Sequence, residues 1–398
     1  MSQVRLGLAF NLRRSGGRDG PEDAEAEYDS WSTVSALAET LSFGGAFRVL
    51  LMPVEADFPR LLERVKPDAV FNIAEGWGGR SREMLAPVAL EMAGISYTGS
   101  DPVALGAAMD KSLAKMAAQA AGVPTAPWQV VADVEELRSL AGECQFPAFV
   151  KPLAEGSSKG VRQSSRVDNV TQLAEQVEWV IRQYGQPALV EAFLPGREFS
   201  VGVIGNRRLR TLPVLEVRPL ASGDGPAGDG PPQAPSPQPE FVYCFHTKSK
   251  NLERFLCPAP VDARLAEKLD AYTKAVFRAL SLSDVARVDF RLDAAGEPRF
   301  LEVNPLPGLS AASLLTAQGE AAGLKLPRLV AAILLAAVSR WVRRQDMEES
   351  LRRRLQAVGE AARAALTPDF GWLVETIDAP GPPAAVPAPA PGRRARVS

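Results

Sequence analysis

The chain has 398 residues, which is enough for two or three domains, and a formal net charge of only −2. Its 45 lysines and arginines are spread along the chain, which argues against a nucleic-acid surface. The single histidine, His246, excludes histidine-rich metal sites, and three cysteines without metal spacing (Cys144, Cys244, Cys257) favour a reducing compartment. No apolar run matches a signal peptide or a membrane span, so we predict a cytoplasmic protein without a membrane partner.

Strand and helix signals alternate through the first 110 residues. Strands are predicted at 4–10, 48–54, 69–73 and 95–98, and helices at 30–41, 58–65 and 82–93. This alternation predicts a parallel sheet covered by helices, with ligands at the carboxyl ends of the strands. The turn 74–79 lies at such an end, where Glu75 is well placed to bind a ligand amine. A glycine loop that only reverses the chain is the other interpretation.

A second unit is predicted to begin near residue 111. We expect one Ala-rich helix over 102–121, a helix at 170–184 and strands at 128–131, 146–152, 161–164 and 188–191, with a helix at 134–140. Lys151 ends an apolar strand, and the small-residue loop 155–160 follows it. Small residues let backbone N–H groups approach a phosphate, and a lysine adds positive charge. No Walker motif is present, and most loops of this composition are plain turns.

The third unit holds further strands and the last core helix. A hairpin is predicted from 198–204 and 209–217, followed by a helix over 262–280 and a core helix over 326–340. Residues 219–240 are rich in Gly, Pro and Ser, which predicts a flexible insertion. The basic segment 246–250 is either a mobile loop over an anionic ligand or a solvated charged loop. The predicted units are therefore 1–110, 111–193, 194–340, and 341–398 with a charged helix over 347–366 and a disordered Pro/Ala tail.

The stretch 286–308 predicts a hairpin that can hold a metal ion. Polar and apolar residues alternate over 287–293 and 299–304, so Asp289 should lie opposite Glu302 and Arg287 opposite Asn304. Val288, Phe290, Leu301 and Val303 should fill the other face. Two opposed carboxylates repel each other unless a hard cation such as Mg²⁺ binds both. A surface hairpin whose acids are balanced by Arg287 and Arg291 is the alternative.

Six segments match a known family in their order and spacing. They are TGSDP (98–102), DKSLAK (110–115), FVKPLAEGSSKG (149–160), VEAFLPGREFSV (190–201), ARVDF (286–290) and LEVNPLPGLS (301–310). From the first strand to about residue 340, the chain resembles the D-alanine–D-alanine ligases of the ATP-grasp superfamily. The resemblance implies an α/β and α+β fold: an N-terminal parallel α/β (pre-ATP-grasp) domain, then a two-subdomain ATP-grasp fold with ATP between two antiparallel sheets.

The resemblance also implies roles for individual residues. ATP would phosphorylate the carboxylate of one amino acid, and the amine of a second would attack the acyl phosphate. Lys111 and Lys151 would bind the ATP phosphates, and the Ser157 loop and Lys248 of the mobile loop would close over those phosphates. The nucleotide would contact Glu191, Phe193, Leu194 and Glu198, and magnesium (or manganese) would contact Asp289, Glu302 and Asn304. Arg287 and the Gly308 N–H would stabilise the oxyanion. The amino acids would be bound by Glu27, Ser313 and Leu314. A homodimer is implied as well.

The chain departs from the family pattern near the amino-acid pocket and its lid. Glu75 stands where the familiar ligases usually carry a histidine, His246 where an acid is usual, and Ser249 where an aromatic residue is expected. One hypothesis is therefore a D-alanine–D-alanine ligase or close analogue that serves peptidoglycan precursor synthesis. A second is a ligase for other amino acids or a small metabolite. A third is a nucleotide-binding protein without catalysis, against which the retained lysines and acids argue.

Overall fold

The computed structural model describes residues 3–14, 21–137, 144–220, 242, 244, 247, 253–367 and 369–378. Three sheets follow one another along these residues. The strands are β1 (Arg5–Phe10), β2 (Arg48–Pro53), β3 (Ala69–Asn72), β4 (Ser96–Tyr97), β5 (Trp128–Val131), β6 (Ala148–Pro152), β7 (Arg166–Val167), β8 (Ala188–Ala192), β9 (Glu198–Gly205), β10 (Leu209–Thr211), β11 (Leu215–Pro219), β12 (Glu253–Leu256), β13 (Val285–Leu292) and β14 (Pro298–Asn304). The α-helices are α1 (Trp31–Leu41), α2 (Phe58–Val65), α3 (Leu85–Met92), α4 (Pro102–Met109), α5 (Lys111–Ala120), α6 (Val170–Tyr184), α7 (Ala263–Ala279), α8 (Leu314–Ala321), α9 (Leu326–Trp341), α10 (Glu349–Leu366) and α11 (Gly371–Asp378).

The first sheet has the order β2-β1-β3-β4, and all its pairings are parallel. This confirms the predicted parallel α/β unit. Helix α1 begins where Ser30 accepts a hydrogen bond from the Thr33 backbone N–H, as an N-cap should. Because all four strands run the same way, the loops that follow β1 and β3 emerge at one edge of the sheet and face the next unit.

The other two sheets are antiparallel, as the resemblance implied. The central sheet has the order β5-β8-β6-β7, and the third has the order β12-β11-β9-β13-β14, with β10 beside β9. Helix α6 packs on the central sheet through Leu173, Val177 and Val180, which are buried. The unit boundaries expected from the sequence remain predictions.

Two expected elements in the central unit are wrong in detail. The single helix over 102–121 is two helices, because Asp110 leaves the helical conformation (φ −79°, ψ 104°) and its carboxylate accepts from the N–H groups of Ser112 and Leu113. That N-cap starts a new helix instead of continuing the old one. The return strand is Arg166–Val167 rather than 161–164, because a 3₁₀ turn at Gln163–Ser165 comes first. Of the helix expected over 134–140, Val134–Glu136 form a 3₁₀ turn and Leu137 is helical, while residues 138–143 lie outside the described part, so this expectation stays a prediction.

The register of the central hairpin is confirmed at the positions that matter chemically. Asp289 pairs with Glu302, Arg287 with Asn304 and Val288 with Val303. The register then shifts, so that Phe290 lies opposite Phe300 and Leu301 is the extra residue of a bulge. The prediction that Leu301 fills the core face is therefore wrong. Leu301 is only half-buried and lines the cleft beside Glu302.

The C-terminal helices cover the core helix α9. Helix α10 was expected from its charged residues, and it also carries a buried stripe of Leu355, Val358, Ala362 and Leu366. Helix α11 packs there too, although nothing in the sequence analysis predicted it. The strand expected over 209–217 is interrupted at 212–214 and forms two strands, β10 and β11. Residues 221–240 and 379–398 lie outside the described part. Among the described residues, no single helix is long and apolar enough to cross a membrane; α8 and α9 would qualify by length and composition only as a pair, and they are bent by 100°.

Candidate active site

One cleft of about 860 Å³ lies between the two antiparallel sheets and the loops of the parallel sheet. Every site residue that the sequence analysis named lines this cleft, except Lys248, which lies outside the described residues. The volume is in the range of sites that enclose a small ligand. Residues that are far apart in the sequence therefore share one site, although their individual roles remain predictions.

Two buried lysines and a glutamate form the floor of the cleft. Glu191 Oε1 lies 2.9 Å from Lys151 Nζ, and Glu191 Oε2 lies 2.7 Å from Lys115 Nζ. Burial opposes ionisation of Glu191, but the charges of Lys115 and Lys151 outweigh it and hold the pKa of the carboxyl at about 2. Sequence analysis missed Lys115, even though it lies four residues after Lys111 and therefore on the same face of one helix.

The two predicted phosphate lysines converge on a predicted metal ligand. Glu302 Oε2 lies 3.6 Å from Lys111 Nζ and 3.7 Å from Lys151 Nζ. Burial opposes ionisation of Glu302, but these lysines lower the pKa of its carboxyl below the usual value. Positive charge thus gathers beside the central hairpin, where the phosphates of a nucleotide would be stabilised.

The side chains on the hairpin fit a hard divalent cation. Asp289 accepts hydrogen bonds from Arg287 (3.0 and 2.8 Å), from Ser200 Oγ (2.6 Å) and from Asn304 Nδ2 (3.0 Å). Glu302 lies directly opposite Asp289. Two carboxylates and one amide are the oxygen donors that Mg²⁺ takes when substrate phosphates supply the rest. The donor set therefore fits the metal that the resemblance implies.

Glu198 lies in the nucleotide part of the cleft, beside Arg291. Arg291 Nη1 donates to Glu198 Oε2 at 3.3 Å. Burial raises the pKa of Glu198 to about 7, because the attraction of Arg291 is opposed by the nearby charges of Asp289 and Glu302. Glu198 is therefore a carboxyl that changes its protonation near neutral pH, at the position predicted to hold the ribose hydroxyls.

The small-residue loop 155–160 is held in an uncommon backbone conformation. Ser157 and Ser158 have φ values of 50° and 61°, in the left-handed region that few residues other than glycine adopt. The Gly160 N–H donates to Asp23 Oδ2 at 2.8 Å, and Tyr184 donates to the same carboxylate. Such strain is kept only where the surroundings enforce it, so the loop is fixed in place from two sides.

Glu27 belongs to a buried cluster of four charged side chains. Arg82 donates to both of its oxygens, at 2.9 and 3.2 Å, and Lys159 lies 2.8 Å away. Glu155 contacts the same two cations, at 3.3 Å from Arg82 and 2.5 Å from Lys159. Burial opposes ionisation of Glu27, but Arg82 and Lys159 lower its pKa to about 2. The carboxylate predicted to bind an ammonium is thus already balanced by protein cations.

The remaining predicted residues lie at the other wall of the cleft. Ser313 is the N-cap residue of helix Leu314–Ala321, and its hydroxyl lies 2.8 Å from that of Ser310. A Cβ at Gly308 would come within 2.9 Å of Ser313 Oγ, so the close approach of these two segments of the chain suits glycine. Leu314 is buried at the start of the helix.

A family model described as "D-ala D-ala ligase C-terminus" matches residues 117–335, more than half of the chain. The D-alanine–D-alanine ligase of Aquifex aeolicus is 30% identical over 318 residues, which cover 79% of this chain and 97% of the relative. An uncharacterized protein of Sinorhizobium fredii is 35% identical over 272 residues, or 68% of this chain and 75% of the relative. A D-alanine–D-alanine ligase structure from Bacillus anthracis, complexed with ATP, has a TM-score of 0.63 at 21% identity and covers 85% of this chain and 98% of its own.

The fold, the shared cleft and these matches agree with one another. The chain belongs to the D-alanine–D-alanine ligase family of ATP-dependent ligases.

Proposed function

We propose that this chain joins two amino acids in an ATP-dependent condensation, with D-alanine as both substrates. The observation that carries the proposal is the convergence of Lys111 and Lys151 on Glu302, next to Asp289, in one cleft. ATP, a carboxylate and an amine would be converted into an amide, ADP and phosphate. D-alanine is taken from the names of the relatives, and a product of this kind would serve peptidoglycan precursor synthesis.

The residues of the cleft would act by positioning and by fixed charge. Lys111 and Lys151 would bind the phosphate oxygens, while the backbone of the Ser157 loop would cover them. Glu198 would accept hydrogen bonds from the ribose, and the backbone at Phe193 and Leu194 would lie along the purine. Holding phosphate and carboxylate side by side supplies much of the rate enhancement in reactions of this class.

Arg287 and the Gly308 N–H would stabilise the negative charge that develops when the amine attacks. Fixed donors of this kind are often the largest catalytic contribution. Asp289, Glu302 and Asn304 would hold magnesium, which when bound neutralises phosphate charge. The amine must lose a proton before it attacks, so its binding site needs acceptors for ammonium hydrogens.

A second candidate is a ligase for amino acids other than D-alanine. The observation that favours it is the cluster at Glu27, whose carboxylate is already bound by Arg82 and Lys159. The ammonium of the first substrate would then need another partner. The floor of the nucleotide part would be unaffected, since Lys151 and Glu191 pair with each other and take no part in the Glu27 cluster.

The deciding experiment is phosphate release from ATP and Mg²⁺ with single amino acids and with pairs, the D and L forms tested separately. Release driven by D-alanine alone, together with a dipeptide product, is the expected result. Release driven only by a different amino acid would support the second candidate. The absence of release with every pair would overturn both.

Two further expectations belong to this proposal. A cytoplasmic location follows from the predicted function, since ATP and amino acids are available there. The homodimer that the family resemblance implies is tested by light scattering of the full-length protein, where a monomer mass at micromolar concentration would contradict it.

A further inference from the structure

Glu75 and Glu83 are acidic side chains beside the Glu27 cluster that form no ion pair among the described residues. Glu27 and Glu155 are each bound by both Arg82 and Lys159, so two acids are balanced by two bases. The third nitrogen of Arg82 donates to the Ala154 carbonyl at 2.9 Å, so this guanidinium is fully engaged. Glu75 and Glu83 line the same cleft and take no part in this cluster.

Glu83 is the more informative of the two. Glu83 follows Arg82 in the sequence, and its side chain is only 6% exposed. Its Oε2 atom has no hydrogen-bond partner among the described residues. A buried carboxylate oxygen without a donor costs free energy unless a ligand supplies one. Burial raises the pKa of Glu83 to about 8, and burial together with the charges of Glu27 and Glu83 raises that of Glu75. Burial of Glu83 therefore outweighs the attraction of Arg82, Lys111 and Lys159, and a further cation bound in the cleft would favour its ionised form.

The missing donor is best supplied by an organic cation. Two carboxylates without further ligands suit an ammonium, which has three N–H donors. Lys111 supplies the opposite charge: it lowers the pKa of Glu83, and its Nζ lies 3.6 Å from Glu302 in the predicted phosphate site.

We infer that Glu75 and Glu83 bind the α-ammonium group of the amino-acid substrate whose carboxylate faces Lys111. This inference rests on the proposed amino-acid ligase function and assigns its ammonium site. Glu27, by contrast, is a positioning residue that holds Arg82, Lys159 and the loop 155–160 in place. The pocket thereby selects a zwitterion, with acids at one end and a lysine at the other.

The test is calorimetric binding to the full-length protein without ATP. The probes are the D and L forms of alanine, serine and lysine. Each is compared with the carboxylic acid that lacks its α-amine, such as propionate for alanine. The measured quantity is the ratio of the two dissociation constants within each pair. In the wild-type protein, at least one zwitterion should bind about 10-fold or more tightly than its deaminated acid, and Glu83→Gln and Glu75→Gln should each remove most of that preference.

Glu22→Gln is the matched control, because Glu22 is an exposed acid at the rim of the same cleft. It should leave the ratio unchanged, and ADP affinity should be the same in all variants. The inference is overturned if no zwitterion is preferred by the wild type, or if both glutamine variants keep the wild-type ratio. The proposed function is judged separately, because binding is measured without turnover and phosphate release is measured with it.

Discussion

Lys115 Nζ lies 2.7 Å from Glu191 Oε2 at the floor of the cleft, and the two side chains are 0% and 3% exposed. Lys151 lies 2.9 Å from the other oxygen of the same carboxylate. Lys115 Nζ also donates to Thr125 Oγ1 at 2.7 Å, so its ammonium is anchored on a second side. One buried carboxylate therefore fixes both lysines, and Lys151 is held where it can also reach Glu302.

The first prediction concerns this buried pair. Lys115→Met removes the ammonium but keeps much of the side-chain volume, and it leaves Glu191 with one cation instead of two. Breaking a buried ion pair from one side destabilises a protein by about 3–5 kcal/mol, and we expect a loss of this size. Urea unfolding followed by circular dichroism measures it.

The matched control is Lys274→Met. Lys274 also lies on a helix and pairs with Asp270 at 2.7 Å, but this pair is partly exposed, at 26% and 38%. Such a surface pair contributes about 0.5 kcal/mol or less. Equal losses of stability in the two variants would show that the buried Lys115–Glu191 pair contributes no more to the free energy of unfolding than a surface pair does.

The second prediction tests the metal and phosphate assignment. Glu302→Gln removes a negative charge that lies opposite Asp289 and within 3.7 Å of Lys111 and Lys151. We expect amino-acid-dependent phosphate release to fall by about 100-fold or more, since charge stabilisation by a bound cation is lost. The fold should change little, and circular dichroism with thermal unfolding checks this.

Glu297→Gln serves as the control on the same hairpin. Glu297 follows the turn between the two strands, pairs with Lys268 and does not line the cleft. Its replacement should leave phosphate release unchanged. If the Glu302 variant turns over at the wild-type rate, Glu302 is not a metal ligand.

The hairpin was predictable because its signal is local. Alternation with period two fixes which residues share a face, and a short loop fixes the register, so the pairing of Asp289 with Glu302 could be read from the sequence. The bulge at Leu301 could not be read from the sequence, because alternation within one strand does not reveal that the strand has one residue more than its partner strand. Leu301 consequently faces the cleft instead of the core.

The ion cluster at Glu27 was beyond sequence reasoning for a different reason. Its members, Glu27, Arg82, Glu155 and Lys159, come from three segments that are far apart in the sequence, so no local pattern connects all four. The resemblance to a family identified Glu27 as a substrate ligand, but the family pattern carries no information about which cations surround it here. Only the packing of the N-terminal sheet against the loop 155–160 brings these charges together.

The third prediction follows from the raised pKa of Glu198, about 7. Below that pH the folded protein holds Glu198 protonated, and above it the carboxylate can accept hydrogen bonds from two ribose hydroxyls. Adenosine, which has no group that titrates near neutrality, should therefore bind more tightly as the pH rises, by up to about ten-fold from pH 6 to 8 if only the ionised form binds. Fluorescence or calorimetric titration at several pH values measures this.

In Glu198→Gln the same titration should be flat, because glutamine has no proton to lose. The difference between the two profiles separates Glu198 from the other acids of the cleft. A pH dependence that survives in the glutamine variant would assign the effect to another residue.

The fourth prediction concerns Gly160 at the end of the phosphate loop. Its φ is +72°, and a Cβ there would lie 2.3 Å from Pro152 Cγ, next to the strand end that carries Lys151. Gly160→Ala must therefore displace the loop as well as strain the backbone, and we expect a loss of about 3 kcal/mol in the free energy of unfolding. The Michaelis constant for ATP should rise as well, since the loop covers the phosphates.

Gly185→Ala separates the two causes. Gly185 ends helix α6 with a φ of +61°, but a Cβ there has nothing within 4 Å. Alanine at this position should cost only the backbone conformation, about 1 kcal/mol, with no effect on the Michaelis constant for ATP. If the two alanine variants lose equal stability and keep the same affinity for ATP, contact between residue 160 and Pro152 does not position the loop, and backbone conformation alone explains the choice of glycine.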